Sequence, residues 1–261
     1  LLDDRLTVNF GAKSLNTTTT AESLFPSALA AGRVKASDGF LPQAGVDYKL
    51  DSNQDIYASY SKNLATYGIL PFSQSQASFN AGKGTLKPEE SQTFELGYRV
   101  HGDTFEASAD AYFTRFSNRL LSVSPCPAGV TWAAILNNVG SVKSTGLDLA
   151  LIWKPIEHVR WLNSLSYDSS KYQDDYLNNG VVATAGKYVV GIPTWMLTSD
   201  VSYAAGAWSA NLDAKYTGRR YITYINDSAV PSYWLLNAGV NYDLGALSVL
   251  KDVSLGLNVT N

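Results

Sequence analysis

Between residues 92 and 116 the side chains alternate twice, with a short hinge between the two runs. Phe94, Leu96, Tyr98 and Val100 share one face, and Glu95, Gly97 and Arg99 share the other. After His101-Gly102-Asp103 the pattern restarts. Phe105, Ala107, Ala109, Ala111 and Phe113 now face one way, while Glu106, Ser108, Asp110 and Thr114 face the other. A period of two means extended strands with one apolar and one polar face. The tight polar hinge joins them as an antiparallel hairpin.

The same unit recurs along the chain and predicts eleven strands. Besides the hairpin above, they lie near 5–15, 41–50, 54–63, 142–154, 159–169, 194–204, 207–218, 232–243 and 252–260. The connections alternate in length. Short ones fall at 51–53, 101–103, 155–158 and 205–206, with 244–251 slightly longer. Long ones fall at 16–40, 64–91, 117–141, 170–193 and 219–231. Short turns at one end and long loops at the other mark a transmembrane β-barrel. Trp153, Trp161, Trp195, Tyr203, Trp208, Trp234 and Tyr242 sit near strand ends. Rings there suit the two water–lipid boundaries. They could also fill the core of a soluble sandwich, but many flank the short turns.

Composition sharpens this picture. Only 16% of the 261 residues are charged and 12% are aromatic, including 16 Tyr. Mean hydropathy is -0.09, too polar for a bundle of membrane helices. A barrel reconciles the two, because only alternate residues meet lipid. The net charge of -3 gives no sign of a nucleic-acid partner. The longest uncharged run, Leu120 to Val142, contains Pro125, Pro127 and Asn137-Asn138 and reads as a loop. Leu1-Leu2-Asp3-Asp4 does not resemble a signal peptide. Cys126 is the only cysteine, so no disulfide forms within the chain, and no His lies near it in sequence to make it catalytic. Neither an enzymatic role nor a cofactor is expected.

Eleven strands make an awkward open sheet, and odd counts are rare in bacterial barrels. An unpaired edge would present backbone groups to lipid at a cost of several kcal/mol each. The expectation is therefore part of a larger barrel.

Three stretches resemble the C-terminal half of the barrel of TonB-dependent outer-membrane receptors. The first is Leu86-Lys87-Pro88-Glu89-Glu90-Ser91, leading into Phe94-Glu95-Leu96-Gly97-Tyr98-Arg99. The second is Asn138-Val139-Gly140, leading into Ser144-Thr145-Gly146-Leu147-Asp148-Leu149 and closing at Trp153-Lys154-Pro155. The third is Leu255-Gly256-Leu257-Asn258-Val259-Thr260-Asn261. The resemblance implies a 22-stranded barrel with residues 1–261 as strands 11 to 21. It implies that the plug, the early strands and the last strand lie outside this chain. It also implies an outer-membrane location, coupling to TonB through the plug, and uptake of a scarce nutrient such as a ferric siderophore.

Within that frame Gly97 and Gly146 mark either a bend or lumen space filled by a neighbouring side chain. Glu95, Glu106, Asp110, Asp148, Asp200, Asp213 and Lys215 line a wet lumen. The long loops are the natural ligand site. Their candidate contacts are Tyr67, Phe72, Trp132, Tyr172, Arg219, Arg220 and Tyr221. Guanidinium groups pair with carboxylate or catecholate oxygens, and rings stack on flat ligands. Lipopolysaccharide contact or loop packing explains the same residues equally well, and membrane lipid is the partner of the apolar face. The resemblance implies a loop His before Leu86-Lys87-Pro88-Glu89 in receptors that take haem, and residues 64–85 contain none, so haem is not expected. An oligosaccharide transporter, a passive porin and a soluble lectin-like sandwich remain the alternatives.

Overall fold

The structure is a computed structural model. It describes residues 5–24, 29–123, 135–138, 140–177, 181–247 and 250–261. Among these, no helix is long and apolar enough to cross a membrane.

In chain order, β1 (Leu6–Ala21), β2 (Gly32–Lys49) and β3 (Gln54–Leu64) come first. Helix α1 (Gln76–Gly82) follows, then β4 (Glu90–His101) and β5 (Phe105–Ser117). A small hairpin, β6 (Leu120–Val123) with β7 (Ile135–Asn138), precedes β8 (Val142–Trp153) and β9 (Val159–Tyr172). A second, β10 (Tyr176–Leu177) with β11 (Val181–Val182), precedes β12 (Trp195–Ala205) and β13 (Trp208–Thr217). A third, β14 (Arg220–Tyr221) with β15 (Ala229–Val230), precedes β16 (Tyr233–Leu247) and β17 (Leu250–Val259).

The other eleven strands form one sheet in the order β1-β2-β3-β4-β5-β8-β9-β12-β13-β16-β17. These are the eleven that the alternation predicts, paired as an antiparallel meander. The boundaries differ at two places. β1 and β2 run on past the predicted ends and pair from Leu6↔Tyr48 to Ala21↔Gly32, with a bulge between Lys13 and Leu15. Four consecutive threonines, Thr17 to Thr20, carry this extension, and β-branched residues favour strands. β16 and β17 likewise extend into the segment read as a fifth turn. Their register shifts twice, around Gly245, whose φ is +67°.

The two faces differ as the pattern requires. Leu96, Ala111, Leu147, Tyr167 and Trp195 form one cross-strand row on the apolar side. Many of its side chains stand open, among them Leu96 at 62% and Leu212 at 53%. Rings pair across strands in two belts on this face. Trp153–Trp161 and Trp208–Tyr242 lie toward the short turns, at 5.9 and 4.6 Å. Tyr167–Trp195 and Tyr216–Trp234 lie toward the loops, at 4.7 and 5.1 Å. On β12, β13 and β16 the belts are eight residues apart, Trp195 to Tyr203, Trp208 to Tyr216 and Trp234 to Tyr242. Eight residues span about 27 Å along a strand at ~3.4 Å each, or about 20 Å after a ~40° tilt. That approaches the ~25 Å apolar band of an outer-membrane barrel.

The polar face is built around glycines. Glu95, Tyr112, Gly146 and Asp168 form one row. Gly146 leaves no room for a Cβ because the Tyr112 ring lies across it, and Tyr57 covers its own paired residue, Gly97, in the same way. Of the two readings of these glycines, the filled lumen space is the one observed. Asn9 leans over Gly45, Asn211 and Asn258 over Gly239, and Asn241 over Gly256. Arg99 lies 4.4 Å over the Tyr57 ring and pairs with Asp47 at 2.7 Å and Asp55 at 2.9 Å.

Candidate functional site

The long connections are folded. Between β3 and β4, Ser75 caps α1 by accepting the Ser78 N–H at 3.2 Å. Phe79 on that helix joins Tyr67 and Phe72 from the same connection. They pack on Ala30, Val34 and Ala36 of the β1–β2 hairpin, with Phe72 and Phe79 5.3 Å apart. Tyr67 and Phe72 are each 5% exposed. Burial pushes the Tyr67 phenol up to about 12, and its hydroxyl has no hydrogen-bond partner among the described residues.

A second apolar cluster lies at the loop end of β8 and β9. Tyr172, 1% exposed, packs with Val142 and Val189, and Phe116, Ile192 and Tyr224 flank it. Tyr224 meets Tyr172 edge-on at 6.2 Å, and burial raises its phenol pKa. Tyr67, Phe72 and Tyr172 therefore form packed interiors beneath the loops. Trp132 lies outside the described residues.

The remaining candidates meet at one place. Gly218 donates its N–H to the Trp195 carbonyl at 2.8 Å, which ends β13 tightly. Arg219 follows, and Arg220-Tyr221 open the small hairpin with Ala229-Val230. Its tip is tied by Thr223 Oγ1–H to Asp227 at 2.6 Å and by Ser228 N–H to Thr223 Oγ1 at 3.2 Å. Asn226 sits there at a φ of +61°, a conformation that Asn tolerates better than most residues.

Tyr221 stacks on Tyr188 at 5.9 Å with 19° between the planes. Arg219 stands 4.8 Å over the Tyr221 ring and Lys171 4.8 Å over the Tyr188 ring. None of Lys171, Arg219 and Arg220 makes an ion pair with a described residue. Among the described residues the array therefore offers positive charge without an ion-pair partner, with Lys171 and Arg219 held over rings, at the loop end of the sheet. Chemically it can receive negatively charged oxygens. Sequence reading named Arg219, Arg220 and Tyr221 but missed Lys171 and Tyr188. Residue type alone could have admitted Tyr188 as a loop aromatic; nothing in the sequence sets it against Tyr221.

Neighbouring connections are clasped in series. Gln76 accepts the Ala31 N–H at 2.8 Å and donates to the Ala31 carbonyl at 3.0 Å. Asn138 does the same to Lys87, at 2.9 Å each way. Asp174 accepts both the N–H and the hydroxyl of Ser141 at 2.7 Å, which lowers its pKa from the ordinary 3.8. Asn226 accepts the Tyr188 N–H at 2.6 Å and donates to its carbonyl at 3.0 Å.

A banded apolar face, an antiparallel meander and loops gathered at one end mark a transmembrane β-barrel. The family described as "TonB dependent receptor-like, beta-barrel" matches residues 1–261. A probable TonB-dependent siderophore receptor, PiuA of Acinetobacter baumannii, is 28% identical over 91% of this chain and 32% of its own length. The ferrioxamine receptor of Yersinia enterocolitica is 28% identical over 84% of this chain and 28% of its own. Among solved structures, the siderophore receptor PiuA from A. baumannii superposes with a TM-score of 0.76. It is 23% identical over 97% of this chain and 36% of that one. The chain thus spans about a third of the length of these relatives. It belongs to the TonB-dependent receptor family, a family of bacterial outer-membrane receptors and not of enzymes.

Proposed function

We propose that this chain is part of a receptor for TonB-coupled uptake of a ferric siderophore. The observation that carries the reading is the Lys171–Tyr188–Tyr221–Arg219 array at the loop end, whose cations make no ion pair with a described residue. Anionic iron chelates carrying carboxylate or catecholate oxygens match it. Two relatives named as siderophore receptors support the same ligand class. In this reading β1 and β17, the edge strands of the sheet, pair with further strands of a 22-stranded barrel, and TonB acts through a plug. Membrane lipid covers the apolar face, with lipopolysaccharide at its loop end.

The test is equilibrium binding of ferric siderophores to the full-length receptor, with a neutral oligosaccharide as control. Arg219→Ala with Arg220→Ala should weaken binding and leave the barrel folded. Each lost charge-assisted hydrogen bond costs at most ~1.5–3 kcal/mol, and less at a wet mouth. Rising salt should weaken wild-type binding as well. Normal siderophore binding by the double variant, or preference of the wild type for the sugar, would remove the assignment.

A further inference from the structure

We propose that Asn226 is a positioning residue for ligand recognition. Its carboxamide fixes Tyr188 and thereby sets the spacing of the cation–ring array that receives an anionic ferric complex. The inference rests on the function proposed above and adds to it the residue that assembles the site and the charge class of the ligand.

Tyr188 is held on two sides. On one, it forms an isolated antiparallel bridge with Lys171 at the end of β9. On the other, among the described residues, its N–H and carbonyl meet the side chain of Asn226 in place of a strand. Its Oδ1 accepts the Tyr188 N–H, and its Nδ2 donates to the Tyr188 carbonyl. A primary amide presents a donor and an acceptor at the spacing of a peptide group, so one side chain here completes a strand edge. Its remaining N–H donates to the Thr223 carbonyl at 3.2 Å, which orients the amide.

Asn226 also sits in the hairpin that carries Arg219 and Tyr221. The amide therefore joins the two halves of the array across two separate connections. Gly191 N–H to the Tyr221 carbonyl, at 2.9 Å, is a second tie between the same connections. Losing Asn226 should loosen the array without dismantling it. A cation already stands over each ring, so the array presents charge to the ligand in preference to bare ring faces. A complex of net negative charge fits it, and a cationic one does not.

Asn226→Gly is the informative variant, because glycine keeps the left-handed backbone and removes only the amide. In the ligand-free full-length receptor it should speed hydrogen exchange at the Tyr188 amide and reduce the near-ultraviolet circular dichroism of the tyrosines. It should weaken binding of a ferric tris-catecholate by about tenfold, the effect of losing one or two hydrogen bonds. Added to Tyr188→Ala it should cause no further loss, since Asn226 acts through Tyr188. Asn226→Asp keeps the acceptor and should fall between wild type and Asn226→Gly.

Unchanged exchange and dichroism overturn the positioning role, and so do losses that add. Tighter wild-type binding of a cationic ferric trihydroxamate overturns the charge class. If the wild type binds no ferric complex while Asn226→Gly still alters exchange and dichroism, the proposed function has failed and the positioning role stands.

Discussion

Tyr112 reaches Asp168, two strands away, because Gly146 between them has no side chain. The hydroxyl donates to Asp168 Oδ2 at 2.7 Å across the glycine. Ser144 and Ser170 donate to the same carboxylate at 3.1 and 2.6 Å. Gly146→Ala should displace the ring and destabilise the barrel by about 1–3 kcal/mol. Tyr112→Phe should cost less, about 0.5–1.5 kcal/mol, because the serines still hold Asp168. Urea titration of the folded receptor in lipid measures both. An alanine variant as stable as wild type would mean that the ring does not occupy this space.

Leu149 lies between Ala109 and Leu165 on the apolar face, and Ala150 points to the opposite face. Leu149→Arg should destabilise by ~2–4 kcal/mol, and Ala150→Arg by clearly less. Equal losses in a folding titration would reverse the assignment of the faces.

Tyr67 buries a hydroxyl that has no hydrogen-bond partner among the described residues. Tyr67→Phe removes it and should raise stability by about 1 kcal/mol. The wild-type phenol ionises near 12 when folded and near 10 otherwise. Its ionisation therefore leaves stability unchanged below pH 10 and lowers it as pH rises from 10 toward 12. Alkaline unfolding of the Phe variant should lack that loss.

Asp174 shows the opposite sign. Its carboxyl is held below 3.8 by Ser141, so the clasp persists above that value and opens as pH falls through the lower folded one. Hydrogen exchange at the Ser141 amide should accelerate in that acid range. In Asp174→Ala, which removes the acceptor, it should be fast at every pH.

Orientation can be read by labelling in a Cys126→Ser background. A cysteine at Ser52, in a short turn, should react only from the periplasm. One at Ile222, in the loop hairpin, should react from outside intact cells. Labelling of both from one side would contradict the short–long alternation.

Strand number, order and facing were legible in the sequence because a period of two depends on local side-chain direction alone. The Leu6–Ala21 and Gly32–Lys49 extension was not, since threonines and charges outside the membrane carry no apolar alternation. Gly97 and Gly146 left a bend and a filled lumen space equally open, and only the register shows that Tyr57 and Tyr112 fill the space. The site was half legible. Arg219, Arg220 and Tyr221 stood out as a run, whereas Tyr188 joins them through Asn226 from another connection. Tyr67, Phe72 and Tyr172 have the composition of ligand contacts and the placement of core. That difference lies in tertiary packing, which residue type does not encode.

Three of the four loop clasps, those of Gln76, Asn138 and Asn226, grip the main-chain N–H and carbonyl of their targets. Any amino acid except proline provides both groups. One half of each fastening is thus blind to which residue occupies the gripped position. The loops can then change at Ala31, Lys87 or Tyr188 without these clasps coming undone. Variation across strains should pass freely through Ala31 and Lys87 and stop at the amide side chains that hold them.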